Sequence, residues 1–249
     1  MRFIAVTLIL LMLLIPLPSI ALEILWRIEL LFAIVFLLCT FADRTKDRFS
    51  AMLLCFSLFS LAVNISLLRL GLSSILRQHE GISLIRWFET NTIGENCLLA
   101  LFISLPLIIA DVLLVSKSSR QISEISARFV LERMYTKFSE IDNRLYEKEI
   151  SEEEADRQKK LVQQDADSKS RLAGAAKFLS GCVKASVLLL ILHLVIGVLL
   201  GIFENNYVFF DSVKAVAPSF CVNSILFTIP QIIGGIAIRN YLKITFNIT

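Results

Sequence analysis

The chain has 249 residues, a net charge of +3, 56% hydrophobic residues and a mean hydropathy of +0.72. These values exclude the ordinary soluble globular class, favour a polytopic membrane protein, and leave no field strong enough for a nucleic-acid partner. Five cysteines without a C-x-x-C pair read as buried small hydrophobes, two distant histidines give no metal-ligand spacing, and no cofactor motif is present.

At the amino terminus one positive charge precedes an apolar run from Phe3 to Leu17, and Ser19-Ile20-Ala21 resembles a signal-peptidase site. A cleaved leader and a retained first span are both compatible with that stretch. A second span is expected from Ile20 to Thr40, although Glu23, Arg27 and Glu29 intrude on it. Glu23 and Arg27, four apart, share a helix face and are expected to pair at the interface end. The third span, Ala51 to about Leu72, carries Asn64 and Arg69; the fourth, Cys97 to Ser116, carries Pro106 and Asp111. Each approaches the ~20 residues that cross a bilayer core.

Between Lys117 and Lys177 lie 13 of the 25 basic residues and 12 of the 22 acidic ones. Ile122, Ile125, Phe129, Val130 and Met134 recur there at helical spacing, predicting a helix from about Ser119 to Tyr135. Ser151-Glu152-Glu153-Glu154 has the form of a capping box, predicting a second helix through Ala155 to about Lys169. Two further apolar runs follow, Ala185 to Phe203 with His193 inside it, and the uncharged Val216 to Ile238. The expected fold is therefore all-α, with about six transmembrane helices and a helical cytoplasmic loop between spans four and five. Its regions are a four-span membrane part (1–116), the charged loop (117–178) and a two-span membrane part (179–249).

Counting Lys and Arg near the span ends orients the chain. Arg2, Arg44, Lys46, Arg48, the charged block, Arg239 and Lys243 fall on one side, and Arg77, Arg86 and Lys214 on the other. The amino terminus and the charged block are expected to be cytoplasmic.

No nucleophile and base pair, glycine-rich phosphate loop or H-E-x-x-H element is present, so enzymatic chemistry is not expected. The candidates are ionisable groups in or near the membrane: Arg69, Asp111, Lys184 and His193. Asp111 is expected to bond to Lys117 or Lys184, with proton handling as the alternative. His193 is expected to be a hydrogen-bonded packing residue, and Arg69 to snorkel outward.

The run from Ser123 to Leu131, followed by Lys137 and by Ile141-Asp142, resembles the signature of the FHIPEP family, the membrane export-gate proteins of bacterial flagella and type III secretion systems. The likeness extends to PLP at Pro16 to Pro18, LAVN from Leu61 to Asn64 with Arg69, Gly94 to Asn96, Lys117 and Arg120, EEEA from Glu152 to Ala155, and GAAKF with Lys177. It implies a subunit of a homo-oligomeric ring in the bacterial inner membrane, with other export-apparatus membrane proteins and the lipid bilayer as partners. It also implies a retained first span, a cytoplasmic loop carrying Glu124, Arg128 and Phe129, and roles in proton-linked export for Lys137 and Asp142.

Several positions depart from the family pattern. Tyr135-Thr136 replaces a Pro-Gly turn, Arg144 and Cys182 stand where acids are usual, Pro218-Ser219 replaces Asp-Gly, and Ser60 replaces an arginine. The family continues into two more spans and a cytoplasmic docking domain beyond the point matching Thr249, so that domain is expected to be missing here. Alternatives are an inactive family paralogue and, in another class, a proton-linked small-solute transporter or a membrane scaffold.

Overall fold

The computed structural model describes residues 17–41, 48–77 and 97–246, and the regular elements among them are all helical. These are α1 (Ser19–Cys39), α2 (Phe49–Arg77), α3 (Cys97–Arg128), α4 (Met134–Tyr146), α5 (Glu152–Phe203) and α6 (Phe209–Phe246), with a π-helical turn, Phe129–Arg133, between α3 and α4. The predicted first span to Pro16, the basic pair Arg44 and Lys46, and the polar segment with Arg86 and Gly94 to Asn96 lie outside the described residues.

Among the described residues, four helices, α2, α3, α5 and α6, contain stretches long and apolar enough to cross a membrane. α1 is not among them, because Glu23, Arg27 and Glu29 interrupt it. Its 21 residues nevertheless extend about 31 Å at the α-helical rise, close to the hydrocarbon thickness. As expected, Arg27 and Glu23 pair, at 3.5 Å.

α6 is the helix around which the others gather, touching α1, α2, α3 and α5. In its most apolar stretch 78% of residues are buried, against 22% in α3 and 28% in α5. An uncharged run interspersed with Ser, Asn, Thr and Gln can be surrounded by protein on every side. Trp26 on α1 donates its indole N–H to the Leu226 carbonyl at 3.0 Å, tying the two helices together. At the other end Phe36, Phe49 and Tyr241 stack, with ring centroids 4.7 and 4.1 Å apart. Large apolar side chains point outward at helical spacing: Ile24, Ile28, Leu31 and Val35 on α1, and Phe102, Leu105, Ile109 and Leu113 on α3. Such faces require an apolar surrounding, either lipid or a neighbouring membrane protein.

The charged block differs from expectation in its connections. The helix predicted from Ser119 to Tyr135 is the continuation of α3, which runs through 32 residues without a break. Its predicted end at Tyr135 lies inside a helical path, since α4 follows the π turn directly. No Gly or Pro occurs from Leu107 to Ala173, so nothing in the chain forces a stop. The second predicted helix begins at its cap, where Ser151 Oγ accepts from the Glu154 N–H at 3.3 Å, but it continues to Phe203 instead of ending near Lys169. Glu154 does not complete the reciprocal box with its side chain, which accepts from Gln158 at 3.0 Å. α5 is thus 52 residues, about 78 Å, and the boundaries at 116/117 and 178/179 fall inside continuous helices.

Candidate functional site

The relative course of the helices follows from a few contacts. Asn64 on α2 meets Ser186 on α5, and seven residues further along both helices Gly71 meets His193. The offset is 122 residues at both places, so α2 and α5 run parallel and in register. A Cβ on Gly235 of α6 would touch Leu114 and Val115 of α3. Arg239 and Lys243 share a cleft with Gln121 and Arg128, so these two helices are parallel as well. Asp111, one turn before Val115, is therefore level with Gln231, one turn before Gly235.

Two polar layers cross the apolar core. In the first, Ser186 Oγ donates to the Cys182 carbonyl at 3.0 Å and accepts from Asn64 Nδ2 at 2.9 Å and Gln231 Nε2 at 2.8 Å. With its one proton committed, the hydroxyl can only accept, so both amides must present their NH2 groups and turn their carbonyl oxygens away. Gln231 Nε2 also lies 3.4 Å from Ser60 Oγ. The Glu29 carboxyl lies beside that hydroxyl, yet neither of its oxygens is in hydrogen-bonding geometry with any partner among the described residues. The Asn64 and Gln231 carbonyl oxygens and Asp111 Oδ1 are also unpartnered, and Glu29, Ser60, Asn64, Asp111 and Gln231 are all at most 1% exposed. The layer therefore has a surplus of buried lone pairs, a surrounding suited to a proton, a water or a small cation.

The second layer lies two turns along α5. His193 Nε2 is 2.9 Å from Ser219 Oγ, while His193 Nδ1 and the whole Asn223 amide have no hydrogen-bond partner among the described residues. Gly71 permits the close approach of α2 here, because a Cβ would come within 2.8 Å of His193 Cε1 and Asn223 Nδ2.

The charged block forms a separate region. Met134 N–H bonds back to the Phe129 carbonyl across the π turn. Phe129 is buried, and Lys169 of α5, itself bonded to Asp165 at 2.7 Å, sits over its ring at 3.1 Å from the centroid. A cation seated on an aromatic face and an inserted π turn thus fix the junction between α3, α4 and α5. Arg120 and Glu124 pair at 2.8 Å one turn apart on α3.

The residues singled out from sequence fall into both regions. Asp111 does not pair with Lys117 or Lys184: it is buried, and both lysines are exposed. Helical geometry explains the correction for Lys117, which is six residues from Asp111 and so points about 120° away from it around α3. Lys137 and Asp142 are on α4 and not in a loop, and five residues apart they face different directions. Asp142 is paired instead with Lys159 of α5 at 2.6 Å, while Lys137 is exposed. Arg69, Lys177 and Arg128 are exposed, and Asn64 and His193 are fully buried.

Composition and motifs do not single out Glu29, Ser186, Asn223 and Gln231 as a site. A signal existed in the spacing: Ser60 and Asn64, and Ser219 and Asn223, are polar pairs four apart inside apolar runs, and Ser186 and His193 are seven apart. What the spacing lacks is the rotation of each helix, which decides that these faces converge.

A model described as the FHIPEP family matches residues 9–237. The flagellar biosynthesis protein FlhA of Bacillus subtilis is 32% identical over 206 residues, covering 82% of this chain and 30% of that protein. Those of Salmonella typhimurium and Escherichia coli are each 31% identical over 210 residues, with the same coverage. The chain spans about 30% of the length of these relatives. No solved structure matches it.

Proposed function

The chain belongs to the FHIPEP family, and from that premise we propose that it is a membrane component of a flagellar-type protein export gate, working with proton movement across the inner membrane. The observation that carries this is the family match over residues 9–237, which takes in both polar layers and the charged block. In this reading the chain crosses the membrane six times with its amino terminus and charged block cytoplasmic, and sits in a ring of like subunits beside other membrane proteins of the apparatus.

The polar layers support the proton link. Glu29 and Asp111 are buried carboxyls with unpartnered oxygens in a bundle whose outer face is apolar. A carboxyl held this way needs positive charge, from a proton or a cation, to be tolerated. Polar side chains of the second layer lie about 10 Å further along α5, which gives a proton a succession of sites. At the cytoplasmic end, the Asp142 and Lys159 pair joins α4 to α5, the helix that carries Ser186 and His193. The exposed Lys137 on α4 is available to a partner.

The test is secretion by a strain lacking the gene, complemented by the intact chain or by Glu29→Gln, Asp111→Asn, Lys137→Ala or Asp142→Asn. Loss of secretion on deletion, restored by the intact chain and not by Glu29→Gln or Asp111→Asn at equal protein level, supports a proton-linked gate. Unchanged secretion on deletion overturns it in favour of an inactive paralogue. Purification without other export components points to an independent transporter.

A further inference from the structure

Where α3 and α6 leave the apolar part of the bundle they part to form a cleft of about 260 Å³. From α6 come Arg239, the first residue after the uncharged run ending at Ile238, and Lys243 one turn on; from α3 come Gln121 and Arg128. Among the described residues, none of the three cations is in an ion pair. The one acid in the lining, Glu124, is held by Arg120 at 2.8 Å, so the cleft presents unbalanced positive charge. Side chains on a helix incline toward its amino-terminal end. For α3 and α6 alike that is the apolar end, so Arg128, Arg239 and Lys243 lean toward the membrane boundary.

The apolar side of the cleft comes from Ile125 and Leu242. Leu113 and Glu124 are eleven residues apart, three turns, and so share one face of α3. The exposed stripe of Leu105, Ile109 and Leu113 therefore descends the same side of the helix toward the cations. A soluble anion would use the cations alone, whereas a molecule with an anionic head and two apolar chains would use the cations and the stripe together.

We propose that this cleft binds the phosphodiester headgroup of an anionic glycerophospholipid, whose acyl chains lie along the outward face of α3. Arg239 and Lys243 engage the phosphate from one helix, Arg128 from the other, and the Gln121 amide donates to the glycerol or phosphate oxygens. The site is independent of the proton route, since it shares no residue with either polar layer.

The experiment uses the whole chain purified in detergent, titrated with phosphatidylglycerol or phosphatidylcholine and followed by native mass spectrometry. One phosphatidylglycerol is expected to bind in preference to phosphatidylcholine. Arg239→Gln and Lys243→Gln, both at exposed side chains, should each weaken it about fivefold. Glu124→Gln should strengthen it, a gain that damage to the fold does not produce. Lys214→Gln, outside the cleft, should leave it unchanged. Equal binding of the two lipids overturns the proposal, as does an equal loss in Lys214→Gln, which would mean diffuse attraction. Competition by inorganic phosphate as effective as that of short-chain phosphatidylglycerol, at constant ionic strength, would make this a soluble-anion site and also overturn it.

Discussion

Replacing Ser186 with Ala removes the acceptor that two helices share. The Ser186 hydroxyl takes the Asn64 amide of α2 at 2.9 Å and the Gln231 amide of α6 at 2.8 Å. Interhelical hydrogen bonds in membrane bundles average about 0.6 kcal/mol and reach about 1.7 kcal/mol. Stranding a buried donor adds a desolvation cost of about 1–3 kcal/mol where no water replaces the lost partner. Two such bonds lead to an expected loss of about 1–3 kcal/mol if water enters the layer, and of more than about 3 kcal/mol if it stays dry. The measurement is reversible unfolding in mixed micelles by titration with a denaturing detergent, followed by tryptophan fluorescence. Ser66→Ala is the control, because among the described residues Ser66 bonds only to the Ala62 carbonyl of its own helix at 2.9 Å, and it should cost under about 0.5 kcal/mol. Asn64→Leu should cost less in the Ser186→Ala background than alone, since the two share one bond. Equal stabilities of Ser186→Ala and Ser66→Ala, or strictly additive costs, would refute the shared-acceptor geometry.

Gly71→Ala forces a methyl against His193 and Asn223 and should cost about 1–3 kcal/mol in the same unfolding assay. Lys148 holds φ 61 after α4, in the left-handed region, so Lys148→Gly should stabilise the α4–α5 turn by about 0.5–1 kcal/mol, visible as slower amide exchange there. Ser151→Ala removes the α5 cap and should speed exchange at Glu154, consistent with a loss of about 1 kcal/mol. Asp142→Asn breaks a half-exposed ion pair with Lys159 and should change stability by less than about 1 kcal/mol. A fall in secretion in that variant, with unfolding unchanged, would assign Asp142 a role beyond holding α4.

The helical class, the positions of the apolar runs and the Ser151 cap are legible in the sequence because each is a local property. Apolar length, charge density and a capping side chain act within one or two turns, and no distant contact reverses them. The Glu23 and Arg27 pair is legible for the same reason, being a neighbour relation on one helix. Local signals fail at the ends of the long helices. With no Gly or Pro in the path, α3 continues past the membrane segment, and α5 starts in the charged block and enters the next one, where composition alone suggests separate elements.

The partners of the buried groups were decided by tertiary structure. Spacing places Asp111 in an apolar run, but burial leaves its Oδ1 without the expected lysine partner. Glu29, two residues from the exposed Arg27, turns inward to Ser60 because about 200° of helical rotation separates the two side chains. The sequence by itself determined which segments are helical, which are apolar, and the family to which they belong. Only the packing of α1, α2, α3 and α5 around α6 decided which faces meet, because helix rotation and register are set by interdigitating side chains far apart in the chain, not by the order of residues within any one helix.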